Sequence, residues 1–344
     1  MPVSSFPMNR TQNKHVNIPI FLPETACPNR CVYCNQFLIT GQKQLPDNNF
    51  IKNIIDTHLA TINAETTLTE VAFFGGNFTG LDLITQKGLL DLVKPYKEAG
   101  RVQGIRISTR PDYISTENIA FLKEQGVSAI ELGIQSFDDI VLKQSGRGYT
   151  AHEAETAALL IKAKGFELGL QMMTGLPGDS EAASIATAKK IIECGADTTR
   201  IYPLIVIKDT PLEQIYHEGK YQPPSLDDTI RLVATLYKLF FEAGVKVLKM
   251  GLHPGGELMG GAIVAGPYHP SFAELVLSHI WGDIFLKLQP DSQAHIHIDV
   301  PKASLNHAAG FAGSNRKILE TLFRRVSFYP VTHLKPFEYD VHYC

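Results

Sequence analysis

Two hydrophobic patterns alternate along the first 250 residues of the chain. Short apolar runs rich in β-branched residues have the length of buried strands and recur six times. The six runs are residues 17–23, 71–75, 104–108, 129–135, 167–173 and 199–206. Between them, apolar residues recur three and four positions apart, as at Ile51, Ile54 and Ile55, which is the spacing of one helix face. Strands that alternate with helices predict a parallel sheet with helical cover.

Residues typical of helix ends flank several helical segments. Thr150 and Glu153 form a capping-box pattern before a helix that we expect to reach about residue 164. Ser225 and Asp228 form an acidic version before a helix expected to reach about residue 243. Glycine stands where four helices should end, at Gly126, Gly165, Gly195 and Gly244.

The alternation of strands and helices ends near residue 245. A segment rich in glycine and proline follows, bounded by His253 and His269, and we expect a lid or a substrate-binding loop there. These two histidines are its candidates for substrate contact. A glycine-interrupted helix at 306–323 and a strand at 326–329 predict a small α+β extension. The predicted organisation is a tail (1–16), a main domain (17–245), and a lid with the extension (246–344).

A strict alternation of residues marks the segment 294–300. Ile296, Ile298 and Val300 share one face, and His295, His297 and Asp299 share the other. A His-x-His-x-Asp row can bind a metal. Such a row is more often the solvated face of a half-buried strand, so both interpretations stay open.

Composition fits a large protein without a membrane anchor. The chain has 344 residues, of which 44% are hydrophobic and 19% are charged, with a net charge of -3. No apolar run is long enough to cross a bilayer, and residues 1–17 show no apolar targeting segment. We therefore expect a cytoplasmic protein with no membrane partner. The net charge supplies no overall attraction for nucleic acid, although a local basic patch would not show in it.

Three of the five cysteines fall within eight residues, directly after the first predicted strand. Cys27, Cys31 and Cys34 have the spacing CxxxCxxC, whereas Cys194 and Cys344 are isolated. A structural zinc site requires four ligands, and no second CxxC pair follows in the chain. Iron-sulfur clusters are normally held by four thiolates, so three close ones suggest a cluster with one iron open to another ligand. Zinc and buried thiols are the alternatives; an odd cysteine number in so large a chain does not indicate a disulfide scaffold.

This spacing, with Tyr33 just before the last cysteine, resembles the signature of the radical S-adenosylmethionine (SAM) superfamily. The resemblance implies an α/β fold with a partial (β/α)6 barrel over residues 17–245. It also implies a 4Fe-4S cluster on Cys27, Cys31 and Cys34, which would be both the metal ligands and the catalytic residues. SAM would chelate the open iron and be cleaved to methionine and a 5'-deoxyadenosyl radical, and Tyr33 would lie beside the cofactor.

One unit further along the chain, Gly75-Gly76-Asn77 looks like the superfamily's GGE-type motif, whose backbone receives the methionine amino group of SAM. Close backbone approach explains the glycines. Asn77 stands where relatives usually carry an acidic residue or threonine, so the resemblance assigns a role to the backbone here rather than to that side chain.

Further motifs resemble the branch that contains the Elongator catalytic subunit and oxygen-independent coproporphyrinogen oxidase. They lie at residues 107–113, 131–136, 145–148 and 172–178. The resemblance covers about residues 17–245. It does not include the acetyltransferase domain of the Elongator subunit. It implies that Gln135 and Arg147 contact the ribose and carboxylate of SAM, with Ser108 and Gln171 close by. Since barrel chemistry lies at the carboxyl ends of the strands, these residues should converge on one rim.

The resemblance predicts a radical SAM enzyme, an oxidoreductase or a transferase, that is reduced by a flavodoxin or ferredoxin type electron donor. Its substrate is left open between a tRNA nucleoside and a small metabolite such as a tetrapyrrole. The alternative is a non-catalytic iron-sulfur or zinc-binding module for electron transfer or binding. A SAM pocket on the predicted rim argues against that alternative, because a passive module has no need of one.

Overall fold

The computed structural model describes residues 14–23, 27, 31–41, 44–252 and 258–344. The strands are β1 (Lys14–Phe21), β2 (Thr67–Phe74), β3 (Gly104–Thr109), β4 (Ala129–Gln135), β5 (Glu167–Thr174), β6 (Thr198–Pro203), β7 (Val206–Ile207), β8 (Lys246–Met250), β9 (Ile263–Ala265), β10 (Asp291–Pro301), β11 (Phe323–Val331) and β12 (Asp340–Tyr343). The helices are α1 (Gln36–Thr40), α2 (Asn48–Leu59), α3 (Leu83–Asp91), α4 (Lys94–Glu98), α5 (Thr116–Glu124), α6 (Asp139–Gln144), α7 (Ala151–Ala163), α8 (Glu181–Glu193), α9 (Pro211–His217), α10 (Leu226–Glu242), α11 (Phe272–Phe285), α12 (Leu305–Ala309) and α13 (Ser314–Leu322).

Seven parallel strands form the main sheet, in the order β1-β2-β3-β4-β5-β6-β8. The sheet curves into a half-barrel, since Asn17 on one edge strand and Lys249 on the other line the same cavity. The parallel sheet and the first six strands are confirmed. The seventh strand, β8, lies beyond residue 245 and was not predicted, because lysines at two of its five positions interrupt the apolar pattern.

Helix boundaries follow the predicted signals. The Thr150 hydroxyl accepts from the Glu153 amide, and the Glu153 carboxylate accepts from the Thr150 amide at 2.7 Å. Ser225 caps α10 by accepting from the Asp228 amide at 3.1 Å. The four predicted glycines after α5, α7, α8 and α10 all have positive φ, from 71° to 80°, which only glycine adopts without strain.

The hydrophobic core lies between the sheet and its helices, on the outer faces of the strands. Ile105, Ile107, Leu168 and Leu170 point outwards and are fully buried there. Arg106, between the first two, points to the inside of the half-barrel, where charged residues of other strands also lie. Because parallel strands in such folds are buried on both sides, the charged interior must be neutralised by ion pairs.

A layer of ion pairs fills the bottom of the half-barrel. Fully buried Arg106 contacts the carboxylates of Glu70, Glu131 and Glu167 at 2.8, 3.4 and 2.7 Å. The carboxylate of Glu131 also accepts two hydrogen bonds from Arg200, from Nε at 2.8 Å and from Nη2 at 3.0 Å. Burial by itself would raise the pKa of Glu70, but hydrogen bonds from His15 and Arg106 and the charge of Arg106 lower it to about 2.

The C-terminal part is the predicted small α+β extension. A second sheet has the order β11-β10-β12 and packs on α11 and α13 around fully buried Trp281. The helix predicted at 306–323 is divided into α12 and α13, with Gly310 and Gly313 at positive φ between them. None of the helices in the described ranges is both long and apolar enough to cross a membrane.

The alternating segment 294–300 lies in β10 with Ile296, Ile298 and Val300 buried. On the opposite face, His297 stacks on Tyr329 at 5.3 Å between ring centroids, and His342 contacts Asp299 at 3.3 Å. Across the described residues, no three His, Cys, Asp or Glu side chains are grouped to hold a metal ion. His295, His297 and Asp299 are each half-buried, as residues on the solvated side of a strand are.

Candidate active site

A cavity of about 1160 Å³ occupies the inside of the half-barrel. All seven strands of the main sheet contribute to its lining, together with the cysteine segment. The lining includes Cys27, Cys31, Tyr33, Cys34, Gly75, Gly76, Ser108, Arg110, Glu131, Gly133, Gln135, Arg147, Gln171, Arg200 and Lys249. Pockets for one small ligand usually measure about 300–1000 Å³, so this one has room for more than one molecule.

The three clustered cysteines all line this cavity, beside the carboxyl end of β1. The segment around Cys31 and Cys34 is held in place by backbone hydrogen bonds from Val32 to Ser145 and from Leu212 to Val32. The thiol of Cys34 lies 3.8 Å from Gln36 Oε1. Burial raises the pKa of the Cys27 thiol, against the lowering effect of the nearby Arg110. The three thiols line the same wall. In the part of the chain that is described, they do not form a group that could already hold a metal ion.

Arg147 lies against this wall and is almost fully buried, between Gly146 and Gly148 at positive φ. Its Nη1 donates to Cys31 Sγ at 3.1 Å and to the Tyr33 hydroxyl at 3.2 Å, and its Nε donates to the Tyr149 hydroxyl at 2.9 Å. Its Nη2 donates to the carbonyl of Gly133. Among the described residues no carboxylate pairs with it, and a buried charge normally has a counter-charge.

Arg110 is the second arginine at this wall, and its charge is already neutralised. It donates two hydrogen bonds of 2.9 Å to the carboxylate of Asp112. Its Nη1 lies 3.9 Å from Cys31 Sγ, and its Nη2 donates to the carbonyl of Arg147. Arg147 is therefore the better candidate of the two for binding an anionic ligand group.

Gln135 ends β4 in a strained conformation, with φ at 63°. Only a few per cent of residues other than glycine have a positive φ, and such strain often marks functional sites. The side chain is 6% exposed, and its Oε1 has no hydrogen-bond donor among the described groups. Gly133 makes room for it, since a Cβ there would lie 2.9 Å from Gln135 Nε2. A buried acceptor that faces a cavity without a donor fits a ligand hydroxyl.

Gly75 and Gly76 pack against the backbone that leads from β1 to the cysteines. A Cβ on Gly75, whose φ is 103°, would lie 2.7 Å from the carbonyl oxygen of Leu22, and one on Gly76 would overlap that of Pro23. The side chain of Asn77 is buried and turns towards β3, where its Oδ1 accepts from Thr109 Oγ1 at 2.6 Å and from the Arg110 amide at 3.2 Å. The glycines line the cavity, whereas Asn77 holds the end of β3.

We expect Gly76→Ala to destabilise the protein by about 1–3 kcal/mol, because its methyl group meets a backbone oxygen that cannot rotate away. Gly88→Ala is the matched control. Gly88 lies inside α3 with no atom within 4 Å of its added Cβ, so alanine there should stabilise by about 0.5–1 kcal/mol. Urea unfolding of the two variants measures the difference. Equal midpoints would show that the β1 end yields to the added methyl group.

The remaining predicted site residues divide into three groups. Ser108 and Gln171 line the cavity, as the motif comparison implied. His269 lies outside the cavity lining: its Nδ1 accepts from the Ser271 amide at 3.0 Å, and its ring meets Phe311 edge-on at 5.3 Å. These contacts hold its ring beside a small pocket that adjoins the main cavity, so its contact with substrate stays a prediction. His253 lies outside the described residues.

Sequence reasoning did not single out the charged residues of the strand interiors. Glu131 and Arg200 line the cavity and pair with each other, and Lys249 lines it from β8. A signal was present, since a charged residue inside an apolar strand run must face inwards if its neighbours face the helices. Gly169 belongs to the same arrangement, because a Cβ there would lie 2.8 Å from Cγ of Glu131.

Comparison with known proteins identifies two matching families. Residues 23–191 match the family described as the Radical SAM superfamily, and residues 196–281 match the Radical_SAM C-terminal domain. Together they span all seven strands of the main sheet except β1. The resemblance predicted from the cysteine spacing is thereby confirmed.

Individual relatives include one protein named for a tRNA uridine and one named for heme. A tRNA uridine(34) acetyltransferase from Dehalococcoides mccartyi is 26% identical over 63% of this chain and 54% of its own length. The heme chaperone HemW of Buchnera aphidicola is 26% identical over 67% of this chain and 60% of its own. The chain thus spans between about half and three fifths of these relatives. The structure of archaeal Elp3 from Methanocaldococcus infernus shares the fold, with a TM-score of 0.63 and 21% identity over 78% of this chain and 63% of that one.

Proposed function

The chain belongs to the radical SAM superfamily, and on that basis we propose that it uses a 4Fe-4S cluster and SAM to modify a substrate by radical chemistry. Cys27, Cys31 and Cys34 would bind the cluster. The observation that carries this proposal is the cavity wall that holds all three thiols together with Arg147. The guanidinium of Arg147 contacts Cys31 Sγ at 3.1 Å and is a buried cation without a carboxylate partner in the described chain. A bound cluster would supply one electron for the cleavage of SAM, and the 5'-deoxyadenosyl radical so formed would take hydrogen from the substrate.

Different lining residues are suited to bind different chemical groups of SAM. Arg147 offers a counter-charge for the SAM carboxylate, and charged hydrogen bonds of this kind are the strong ones. Gln135 offers an acceptor for a ribose hydroxyl. Gly75, Gly76 and Tyr33 line the same cavity, and the backbone of the two glycines would receive the amino group of SAM. Ser108 and Gln171 lie further along the same lining.

The cavity also favours an enzyme over a passive electron-transfer module. A one-electron carrier needs a cluster near the surface and no room for substrate, whereas this cavity exceeds the size needed for a single small ligand. Helical cover around the half-barrel would shield the reaction from water, which protects reactive intermediates. A flavodoxin or ferredoxin type protein is the proposed electron donor.

The substrate is proposed to be a small molecule, with a tRNA nucleoside as the alternative. The relatives point both ways, since one is named for a tRNA uridine and the other for heme. The net charge of -3 offers no overall attraction to RNA, whose binding normally rests on many cationic contacts to phosphate.

The test is anaerobic reconstitution with iron and sulfide, followed by reduction with dithionite in the presence of SAM. We expect about four irons per chain, and the formation of 5'-deoxyadenosine and methionine that stops when dithionite is omitted. Stoichiometric zinc without sulfide would overturn the proposal. A cluster that is reduced yet leaves SAM intact would support the electron-transfer alternative instead.

A further inference from the structure

A row of four residues crosses the inside of the half-barrel at one level. Gly133 of β4 is in register with Gln171 of β5, Gln171 with Arg200 of β6, and Arg200 with Lys249 of β8. Residues in register on neighbouring parallel strands face the same side, and all four line the cavity. The row therefore leads from the proposed SAM side, where Arg147 binds the Gly133 carbonyl, to Lys249 on the edge strand.

The length of this row separates its two ends. Three strand spacings of about 4.8 Å place Lys249 roughly 14 Å from Gly133, measured along the sheet. The next residue, Met250, is buried in the core on the opposite face, so the side chain of Lys249 is directed to the cavity. Lys249 therefore faces the part of the cavity that lies away from the three cysteines.

The other cations of the lining have partners or a proposed ligand. Arg200 is bound by the carboxylate of Glu131, and Arg110 by that of Asp112. Arg147 is assigned above to SAM. Lys249 has no hydrogen bond or ion pair with any described residue, and it lies beside the positive charge of Arg200. Burial lowers its pKa, and Arg200 lowers it further, so the described residues around Lys249 disfavour its charged form.

We propose that Lys249 binds an anionic group of the substrate, a carboxylate or a phosphate, so that the substrate is an acidic small molecule. This inference rests on the proposed function, because it assumes that SAM fills the opposite end of the row. An ammonium group that is partly buried and has no counter-charge among the described residues is neutralised by one anion. One such cation suits a single anionic group better than a polynucleotide backbone, which is held by several.

The experiment measures the reactivity of Lys249 towards N-hydroxysuccinimidyl acetate by peptide mass spectrometry. Citrate and glycerol 2-phosphate are the probes for the two anionic groups, glycerol is the neutral blank, and a short oligoribonucleotide tests RNA. We expect citrate or glycerol 2-phosphate to lower acetylation of Lys249 several-fold and to leave exposed Lys246, on the same strand, unchanged. The probe that protects Lys249 from acetylation identifies the anionic group as a carboxylate or a phosphate.

Binding of the protecting probe is then measured by calorimetry in variants. Lys249→Gln should weaken it about tenfold or more, because a charged hydrogen bond is lost, while Lys249→Arg retains it and Lys246→Gln has no effect. Protection by the oligoribonucleotide alone would overturn the assignment in favour of RNA. Unprotected Lys249, or loss of SAM binding in Lys249→Gln, would overturn it as well.

The measurements are made on protein with and without a reconstituted cluster, so the two proposals fail separately. A chain that holds no cluster but whose Lys249 is protected by a small anion contradicts the radical SAM function and keeps the anion site. A chain that cleaves SAM but leaves Lys249 equally reactive under all probes contradicts only the anion site.

Discussion

Each of the variants Cys27→Ala, Cys31→Ala and Cys34→Ala should contain almost none of the iron of the reconstituted parent protein, for which about four irons per chain are expected. Only three thiolates anchor the proposed cluster, and all three line one wall of the cavity. Removal of any one leaves two anchors, which is too few to retain it. Iron and sulfide analysis, with the absorption spectrum, measures the loss, and formation of 5'-deoxyadenosine should disappear with it.

Two other cysteines serve as controls for that result. Cys344 is exposed in the second sheet, so Cys344→Ser should leave the iron content unchanged. Cys194 is buried in the core behind the sheet, where burial raises the pKa of its thiol to about 11 and disfavours the thiolate that metals require. Cys194→Ala should therefore keep the cluster as well. Full iron content in any variant of the clustered cysteines would refute their assignment.

Arg147→Lys should lower the affinity for SAM by about 10- to 100-fold while leaving the iron content close to that of the parent protein. Lysine keeps the positive charge but loses the planar fork that can bind a carboxylate while still donating to Gly133 and Tyr149. Equilibrium binding of SAM to the reconstituted protein measures the change, and urea unfolding reports any loss of stability.

Arg110→Lys is the matched control, since it alters a buried arginine in the same lining. Its guanidinium is already bound by Asp112, so we expect a smaller loss of SAM affinity than for Arg147→Lys. If the two variants lose SAM equally, the effect comes from general disturbance of the wall. If Arg147→Lys binds SAM as tightly as the parent, the segment from Ser145 to Gly148 is only a turn.

Local patterns were sufficient for most of the fold. Strand and helix positions follow from residues that are neighbours in the chain, so the six strands and the caps at Thr150 and Ser225 were predictable. The β8 strand was not, because its only buried residue is Met250 and two lysines interrupt its apolar pattern. Whether such a segment is a strand depends on the partner edge offered by β6, which is distant in sequence.

The candidate site shows the same division. The cysteine spacing, the paired glycines and the residues Gln135 and Arg147 could be found from motifs, since each lies in a short segment with a characteristic order. The contact of Arg147 with Cys31, 116 positions apart in sequence, depends on how β1 and the loop after α6 come together. Tertiary packing contributes to the position of His269 too, because its ring meets that of Phe311, which is distant in sequence.

The sequence by itself determined the class of the protein, because secondary structure periodicity and ligand spacing are properties of short segments. The tertiary structure alone decided which charges neutralise one another. Glu131 reaches Arg200 across Gly169, and Arg106 gathers three carboxylates from three strands. Lys249 is left facing the cavity without a carboxylate among the described residues. Ion pairing depends on distances between side chains of different strands, and these distances are set by sheet register and curvature, which the order of residues does not display.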